Sequence, residues 1–177
     1  NQKIYSIDSL SASMGQGLLV SSAFKLKQEG KDIDYIFNWV ENNKLKLIHL
    51  FTVGDLNHLR KGGRLSYGKA FIGNILKIKP LLFVNNKGEL IQNSFNRGRK
   101  KALLNMIEEM KKTIINPKEQ TIHISHGNCL DDALWMKDII LKELDVVDVV
   151  VNFVGPVIGT HSGQDTIALF YYGEKRE

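Results

Sequence analysis

Residues 155–163, with the sequence Gly-Pro-Val-Ile-Gly-Thr-His-Ser-Gly, constrain the fold most strongly because they separate two apolar runs, 146–154 and 167–172. The pattern predicts a strand, a turn and a second strand, with Thr160, His161 and Ser162 at the apex. A turn on a rigid sheet can present hydrogen-bond donors to a ligand. A tight turn whose polar side chains bind their own backbone is an equally good interpretation.

The other patterns alternate helices with strands, which indicates an α/β fold with one mixed β-sheet and helices packed on it. A Ser13 cap and a Gly30 stop bound the first predicted helix, and Asp32 caps the second. The turn sequence Asn-Asn-Lys-Gly at 85–88 predicts a hairpin. Strands are predicted at 3–8, 45–53, 81–84, 89–95 and 121–125, and helices at 13–30, 32–40, 54–64, 65–78, 97–113 and 130–144.

The composition favours a folded domain that does not insert stably into a membrane. The chain has 177 residues, of which 43% are hydrophobic, and no apolar run approaches the roughly 18 residues of a membrane helix. A single cysteine, Cys129, excludes an internal disulfide and suits the cytoplasm. The net charge of +5 is dispersed along the chain, so a nucleic-acid partner is not expected.

Metal and cofactor sites are not predicted. His123 and His126 are three apart on a predicted strand, so their side chains point to opposite faces and cannot bind one ion together. Glycines 159 and 163 do not have the spacing of a nucleophile elbow around Ser162. Gly62 and Gly63 before Arg64 form either an anion-binding nest or an ordinary helix stop.

Arg97 and Arg99 follow a predicted strand and begin a predicted helix, where the loops of a sheet face a ligand. A guanidinium group at that place can hold a carboxylate through two parallel hydrogen bonds. An arginine near a helix N-terminus opposes the helix dipole, which favours a functional reason for it over helix-start chemistry.

Seven motifs, in this order along the chain, resemble the DegV family. They are Asp-Ser at 8–9, Ser-Met-Gly-Gln-Gly-Leu at 13–18, Asp-Leu at 55–56 with Leu-Arg-Lys-Gly-Gly-Arg at 59–64, Ile-Lys-Pro at 78–80, Arg-Gly-Arg-Lys-Lys-Ala at 97–102, His-Gly at 126–127, and the nine residues 155–163. Each motif is weak alone, and together they cover essentially the whole chain.

The resemblance implies a carrier rather than an enzyme. DegV proteins, including the FakB proteins, have two α/β domains with a long-chain fatty acid between them. They present its carboxylate to a fatty acid kinase, FakA, which makes an acyl-phosphate for bacterial phospholipid synthesis. By this resemblance, residues 1–30 are the last strand and helix of the N-terminal domain, and residues 31–177 are the C-terminal domain.

The family motifs also imply site residues. His161 resembles the histidine near the fatty-acid carboxylate, and Arg97 resembles an arginine of the same hydrogen-bonding network. Arg64 resembles a second arginine, which serves the site or the kinase contact. Thr160 and Ser162 flank the histidine and are expected to help it.

Two departures from the family pattern limit this expectation. The hydroxyl-bearing segments of the N-terminal domain that grip the carboxylate are absent from the sequence. Gln164 and Asp165 replace the family's Pro-Gly and place an acid near the supposed anion site. Residues 1–177 alone are therefore expected to bind fatty acid weakly. The alternative is an enzyme acting on a small anionic substrate, with Arg97 binding it and His161 as the acid/base.

Overall fold

The computed structural model describes residues 2–64 and 78–176. Within these ranges the chain forms a six-stranded sheet and six α-helices. The strands are β1 (Leu47–Thr52), β2 (Ile78–Val84), β3 (Leu90–Arg97), β4 (Thr121–His126), β5 (Asp148–Phe153) and β6 (Ile167–Tyr172). The helices are α1 (Ser13–Gln28), α2 (Ile33–Asn43), α3 (Leu56–Lys61), α4 (Arg99–Thr113), α5 (Leu130–Glu143) and α6 (Pro156–Ser162).

The sheet is mixed, as predicted. Its strand order is β3-β2-β1-β6-β4-β5, and β4 and β5 pair in parallel while the other neighbours are antiparallel. This topology places the ends of β1, β3, β4 and β5 at one edge of the sheet, where β2 and β6 begin. We call it the loop edge, because the segments after these four strands project from it.

The two faces of the sheet bury different side chains, because successive residues of a strand point to opposite faces. On one face, Ile48, Ile124 and Leu169 belong to a core that also contains the apolar side chains of α4 and α5. On the other, which we call the α1 face, Leu47, Phe51, Ala168 and Phe170 pack with Leu18 and Leu19 of α1. Helices α2 and α3 contribute Val40 and Leu59 to the same core.

Several predicted boundaries are confirmed. The Asp32 side chain accepts a hydrogen bond from the Tyr35 amide at the start of α2. Gly30 follows α1 with a φ of 80°, a conformation that glycine adopts without strain. The hairpin between β2 and β3 is closed by the Asn85 side chain, which accepts from the amides of Lys87 and Glu89.

Residues 3–8 are not a strand, contrary to the sequence prediction. Tyr5 stacks on Phe37 of α2 with ring centroids 4.2 Å apart. Lys3 and Tyr5 both donate hydrogen bonds to Asp34. Tyr5 contacts α2 and Ile7 packs against the α1-face core. The segment thus alternates like a strand, but no strand among the described residues pairs with it.

The two flanking strands predicted from the sequence are confirmed as β5 and β6, but residues 156–162 between them form helix α6, so the predicted turn is wrong. Pro156 occupies the first turn, where its fixed φ suits a helix and its missing N–H costs nothing. Gly163 ends the helix with a φ of 77° and donates its N–H to the Gly159 carbonyl at 2.8 Å. Seven residues are too few to show a helical hydrophobic period, and the flanking glycines made the segment resemble a turn.

Two further expectations are affected by the structure. The predicted apolar helix 65–78 lies outside the described residues except for Ile78, which begins β2. Arg97 is the last residue of β3, and α4 begins only at Arg99. In the described parts of the chain, no helix has the length and hydropathy required to cross a membrane.

A buried arginine near the end of the chain joins three parts of the fold. Arg176 is 7% exposed, and its guanidinium donates to the carbonyls of Leu47, Leu10 and Asn85 at 2.8, 2.7 and 3.2 Å. It also binds the Ser11 hydroxyl and the Lys44 carbonyl. These bonds fix the segment before α1 against β1 and the β2–β3 hairpin. Burial lowers the pKa of Arg176 to about 10.

Replacing Arg176 with Met is expected to lower the free energy of unfolding by about 3 kcal/mol, because the substitution leaves buried acceptors without a donor. Urea unfolding measures the change. The exposed neighbour Lys175 provides the matched control, since Lys175→Met removes a charge without a buried hydrogen bond. Equal stability of the two variants would contradict the assigned role of Arg176.

His49 lies on β1 and points to the α1 face, where it is 3% exposed. Burial and, to a smaller extent, the nearby charge of Arg176 together lower the pKa of His49 from 6.5 to about 3. The unfolded chain therefore binds a proton at His49 that the folded chain excludes. Neutral, buried His49 therefore makes its full contribution to the free energy of unfolding above pH 6.5, and this contribution is lost as the pH falls toward 3.

Between pH 7.5 and pH 5, His49 is expected to cost the native protein about 2 kcal/mol of unfolding free energy. The acidic side chains stay mostly ionised in this range, so His49→Phe should reduce the pH dependence by that amount. Urea unfolding of both proteins at the two pH values measures the difference. An identical loss of stability in both would show that His49 is not buried in its neutral form.

Candidate functional site

A cavity of about 350 Å³ lies on the α1 face, next to the loop edge. Ligand pockets in proteins usually start at this size, and they combine apolar walls with a few polar groups. This cavity has that character. Its described lining residues are Ala12, Ser13, His49, Phe51, Leu59, Arg64, Val84, Gly88, Leu90, Ser125, Val154, Val157, Ile158, His161, Ser162, Thr166, Ala168 and Phe170.

The loop edge supplies a polar end to the cavity. Ser162, the last residue of α6, is 5% exposed, and its hydroxyl has no hydrogen-bond partner among the described residues. Thr166 lies beside it and donates its hydroxyl to the Ser162 carbonyl at 2.9 Å. Arg64, which follows α3, is exposed and also lines the cavity. A buried unpaired hydroxyl is costly, so this end of the cavity suits a polar ligand group.

Two histidines fix α6 against α3 by reciprocal hydrogen bonds. His161 of α6 binds the Gly62 carbonyl through Nδ1 at 3.1 Å, and His58 of α3 binds the Thr160 carbonyl through Nε2 at 2.8 Å. A carbonyl oxygen only accepts, so each of these nitrogens carries a proton. The Nε2 atom of His161 can then accept a hydrogen bond, or donate one when the ring is protonated.

The two helices approach each other closely because glycines lie at both contacts. A Cβ atom on Gly62 would lie 3.1 Å from His161 Nδ1, and one on Gly163 would lie 3.0 Å from the His58 ring. Gly163 also has a φ of 77°, which disfavours other residues. The Gly-Gly pair at 62–63 therefore ends α3 and leaves space for the histidine of α6.

The start of α1 forms another wall. Ser13 was expected to cap this helix, but Ala12 is the N-cap residue and has no side-chain cap. The Ser13 hydroxyl instead donates to Ser125 of β4 at 3.1 Å, and Ser13 has a φ of 55°. The helix thus begins at the cavity with no side chain of the described residues capping its first N–H groups, and its positive dipole end adds to the positive potential there.

The sheet forms the floor of the cavity. Strand pairing places Phe51, Ala168 and Ser125 in one row across β1, β6 and β4. The next row, farther from the loop edge, contains His49 and Phe170. Apolar side chains from α3, the β2–β3 hairpin and α6 form the side walls of the cavity. The cavity therefore has a polar end that continues into a long apolar part.

The structure brings together three of the five site residues expected from the sequence. His161, Ser162 and Arg64 line the cavity. Thr160 is exposed on the outer side of α6, and its hydroxyl donates to the Pro156 carbonyl at 2.8 Å. Arg97 is exposed at the end of β3, on the edge strand of the sheet, and is not among the described lining residues.

Arg99, rather than Arg97, points back toward the loops. Its guanidinium binds the Asp132 carboxylate and donates to the Asp165 carbonyl at 2.7 Å. The turn at Gln164 and Asp165 is held from two more sides. The Asp165 amide donates to the Gly127 carbonyl, and the Gln164 carbonyl and the Asp165 side chain lie against Gly54. Asp165 is therefore a turn residue, with a φ of 62°, and does not line the cavity.

Sequence reasoning missed Ser13, Ser125 and His49 as lining residues. A hydroxyl at the start of a helix predicts a cap, which hid the contact between Ser13 and β4. Ile122 and Ile124 alternate with polar residues, and this pattern puts Ser125 on the opposite face of the strand. Nothing in the sequence shows that this polar face borders a cavity, because that depends on how β4, β6 and β1 pair.

Three comparisons define the relationships of this chain. A family model described as "Uncharacterised protein, DegV family" matches residues 1–174. A DegV domain-containing protein of Clostridium perfringens is 46% identical over 171 residues, which are 97% of this chain and 59% of that protein. The chain therefore spans less than two thirds of this curated relative.

Solved structures show the same fold. A fatty-acid-binding DegV family protein from Streptococcus agalactiae superposes with a TM-score of 0.84 at 35% identity, covering 99% of this chain and 62% of that one. The fatty acid kinase B3 protein of Streptococcus pneumoniae, loaded with linoleic acid, gives a TM-score of 0.86 at 21% identity. It covers 97% of this chain and 60% of that one, and at this identity it supports the fold alone. The chain belongs to the DegV family.

Proposed function

We propose that this chain forms part of a fatty-acid carrier, with the carboxylate at the polar end of the cavity and the acyl chain along the sheet floor. The observation that carries the proposal is the buried hydroxyl of Ser162, next to His161, which has no hydrogen-bond partner among the described residues. A carboxylate is an acceptor that could satisfy that hydroxyl. The adjoining wall of Phe51, Ala168 and Phe170 offers an apolar surface to the chain.

The charges near the polar end favour an anion. Arg64 is a permanent cation at the mouth of the cavity, and His161 can donate from Nε2 when protonated. The uncapped start of α1 adds the positive end of a helix dipole. No aspartate or glutamate is found among the described lining residues, so nothing there repels a carboxylate.

Burying the acyl chain provides the main gain in affinity. Ten methylenes contribute about 8 kcal/mol before the costs of binding are subtracted. The relatives are longer than this chain, and the S. agalactiae relative is described as fatty-acid binding. We infer that residues missing here but present in such relatives cover the rest of the ligand. Residues 1–177 alone are predicted to bind fatty acid weakly.

We further propose that the carrier works in the cytoplasm and presents the carboxylate to a fatty acid kinase of the FakA type. Support comes from the location of the polar end at the loop edge, with Arg64 exposed beside it. By the resemblance, residues 1–30 belong to an N-terminal domain and residues 31–177 form the C-terminal domain.

The alternative function, an acid/base enzyme, gains no support, since the described lining residues supply no carboxylate partner for His161.

Replacing Ser162 with Ala is expected to weaken palmitate binding about tenfold, because the carboxylate loses a charge-assisted hydrogen bond. Replacing His161 with Phe should weaken palmitate binding further. No substrate turnover is expected of the native protein, so this variant should show no loss of an enzymatic rate. Calorimetry on the natural protein, with all its flanking residues, measures the affinity. Thr160→Ala is the control and should bind like the native protein. Equal affinity of the Ser162 and Thr160 variants would contradict the proposed site.

The two arginines named from the sequence can be separated by the same measurement. Arg64→Met is expected to weaken palmitate binding about tenfold, since it removes the cation at the mouth of the cavity. Arg97→Met should change it less than twofold, because Arg97 lies outside the described lining. The opposite order would show that the carboxylate lies toward β3 instead.

A further inference from the structure

Strand β5 forms one edge of the sheet, with β4 as its single neighbour among the described residues. Residues 147–153 have the sequence Val-Asp-Val-Val-Val-Asn-Phe, and Val147 and Phe153 are 62% and 63% exposed. An edge strand rich in β-branched and aromatic residues is a template for pairing with a strand of another chain. Such pairing requires free backbone N–H and C=O groups along the outer side of β5.

The outer side of β5 presents the backbone groups of its odd-numbered residues. The Val154 amide donates to the His126 carbonyl of β4 at 2.9 Å. Backbone groups of successive strand residues point to opposite sides, so those of Val149, Val151 and Phe153 point away from β4. A second strand would have to bind these three residues.

Side chains already bind three of these outward groups. The Asp148 carboxylate accepts a hydrogen bond from the Val149 amide at 2.7 Å. The Asn152 side chain accepts one from the Phe153 amide at 2.8 Å. Lys137 of α5 donates to the Val149 carbonyl at 2.6 Å and to Asp148 at 3.3 Å. Backbone groups near both ends of β5 are therefore occupied.

A second strand on β5 would have to displace these side chains. Val151 lies between the occupied residues, and one residue does not sustain a ladder between two strands. Lys137 and Asp148 would also lose water when a second strand covered them. Burying charged groups is costly unless new partners satisfy them fully. The side chains around β5 therefore oppose strand pairing.

The other edge of the sheet is protected differently. Strand β3 pairs Ser94 with Leu81 of β2 and Gln92 with Leu82. Asn93 is therefore an extra residue, which makes a β-bulge. A bulge bends an edge strand and disrupts its backbone pattern, so it hinders pairing with a further strand. The register of β5 with β4 is continuous, and β5 is protected by side chains instead.

The strand that fits an uncovered β5 best is β5 of a second copy. Two β5 strands that ran antiparallel about Val150 would place Val147 of one copy opposite Phe153 of the other. Apolar cross-strand pairs of this kind stabilise a sheet. Asp148 would lie opposite Asn152, so polar side chains would also meet. The sequence of β5 is thus complementary to itself.

On these grounds we propose that Lys137, Asp148 and Asn152 form an edge cap, which prevents two copies of this chain from associating through β5. The edge cap acts by occupying backbone groups that such a pair would share. It is independent of the proposed fatty-acid site, because none of its three residues is among the described lining residues of the cavity.

The test removes the edge cap from the natural protein, with all its flanking residues. In the double variant Lys137→Met/Asn152→Val, the dimer dissociation constant is expected to fall about tenfold, because pairing no longer breaks a charge-assisted hydrogen bond. Sedimentation velocity over a range of concentrations measures it. Hydrogen exchange should show new protection of residues 148–153 in the dimer.

The matched control is Lys142→Met/Asn38→Val, which makes the same replacements at exposed positions of α5 and α2. It should associate like the native protein. Lys137→Met alone should shift association in the same direction by a smaller factor. If the double variant does not fold, Lys137→Met is compared with Lys142→Met instead.

Equal self-association of the edge-cap variant and its control would overturn the proposal. Association that leaves residues 148–153 unprotected would overturn it too, since the contact would then lie elsewhere. A native protein that already pairs through β5 would show that the edge cap does not prevent association. Each of these outcomes leaves the proposed function standing.

Discussion

The Arg176 guanidinium fixes the geometry on which the cavity depends. Its five hydrogen bonds hold Leu10 and Ser11 against β1 and the hairpin loop, so they determine where α1 begins. Leu10 has a φ of 47° and contacts Gly88, which lines the cavity. The first turn of α1 then lies over β4, β1 and β6, with Ser13 on Ser125 and Gly15 against His49 and Phe170. Without this anchor, one wall of the cavity would lose its position.

The mixed sheet accounts for the rest of the site. Four strands end at one edge, so the segments that follow them converge there, and α3 and α6 pack through His58 and His161. The result is a polar end beside a long apolar floor, which matches a ligand with a charged head and a hydrocarbon tail. The members of the family described as binding fatty acid share this fold.

Much of the fold follows from the sequence, and the parts that do not have identifiable causes. The Asp32 cap, the Gly30 stop and the Asn85 hairpin depend on local chemistry that the sequence displays directly. The sequence predicts a turn where α6 lies, because a proline and two glycines also mark turns. The helical conformation of this segment depends on docking against α3. The first segment alternates like a strand but packs on α2. His161, Ser162 and Arg64 could be named from family motifs, whereas Ser13, Ser125 and His49 depend on strand register and tertiary packing.

A crystal structure of the natural protein with a bound long-chain fatty acid tests the account most directly. The account predicts that a carboxylate oxygen lies within hydrogen-bonding distance of the Ser162 hydroxyl and near His161, with the chain over Phe51, Ala168 and Phe170. A carboxylate bound instead at Arg97, or an acyl chain on the opposite face of the sheet among the side chains of α4 and α5, would contradict it.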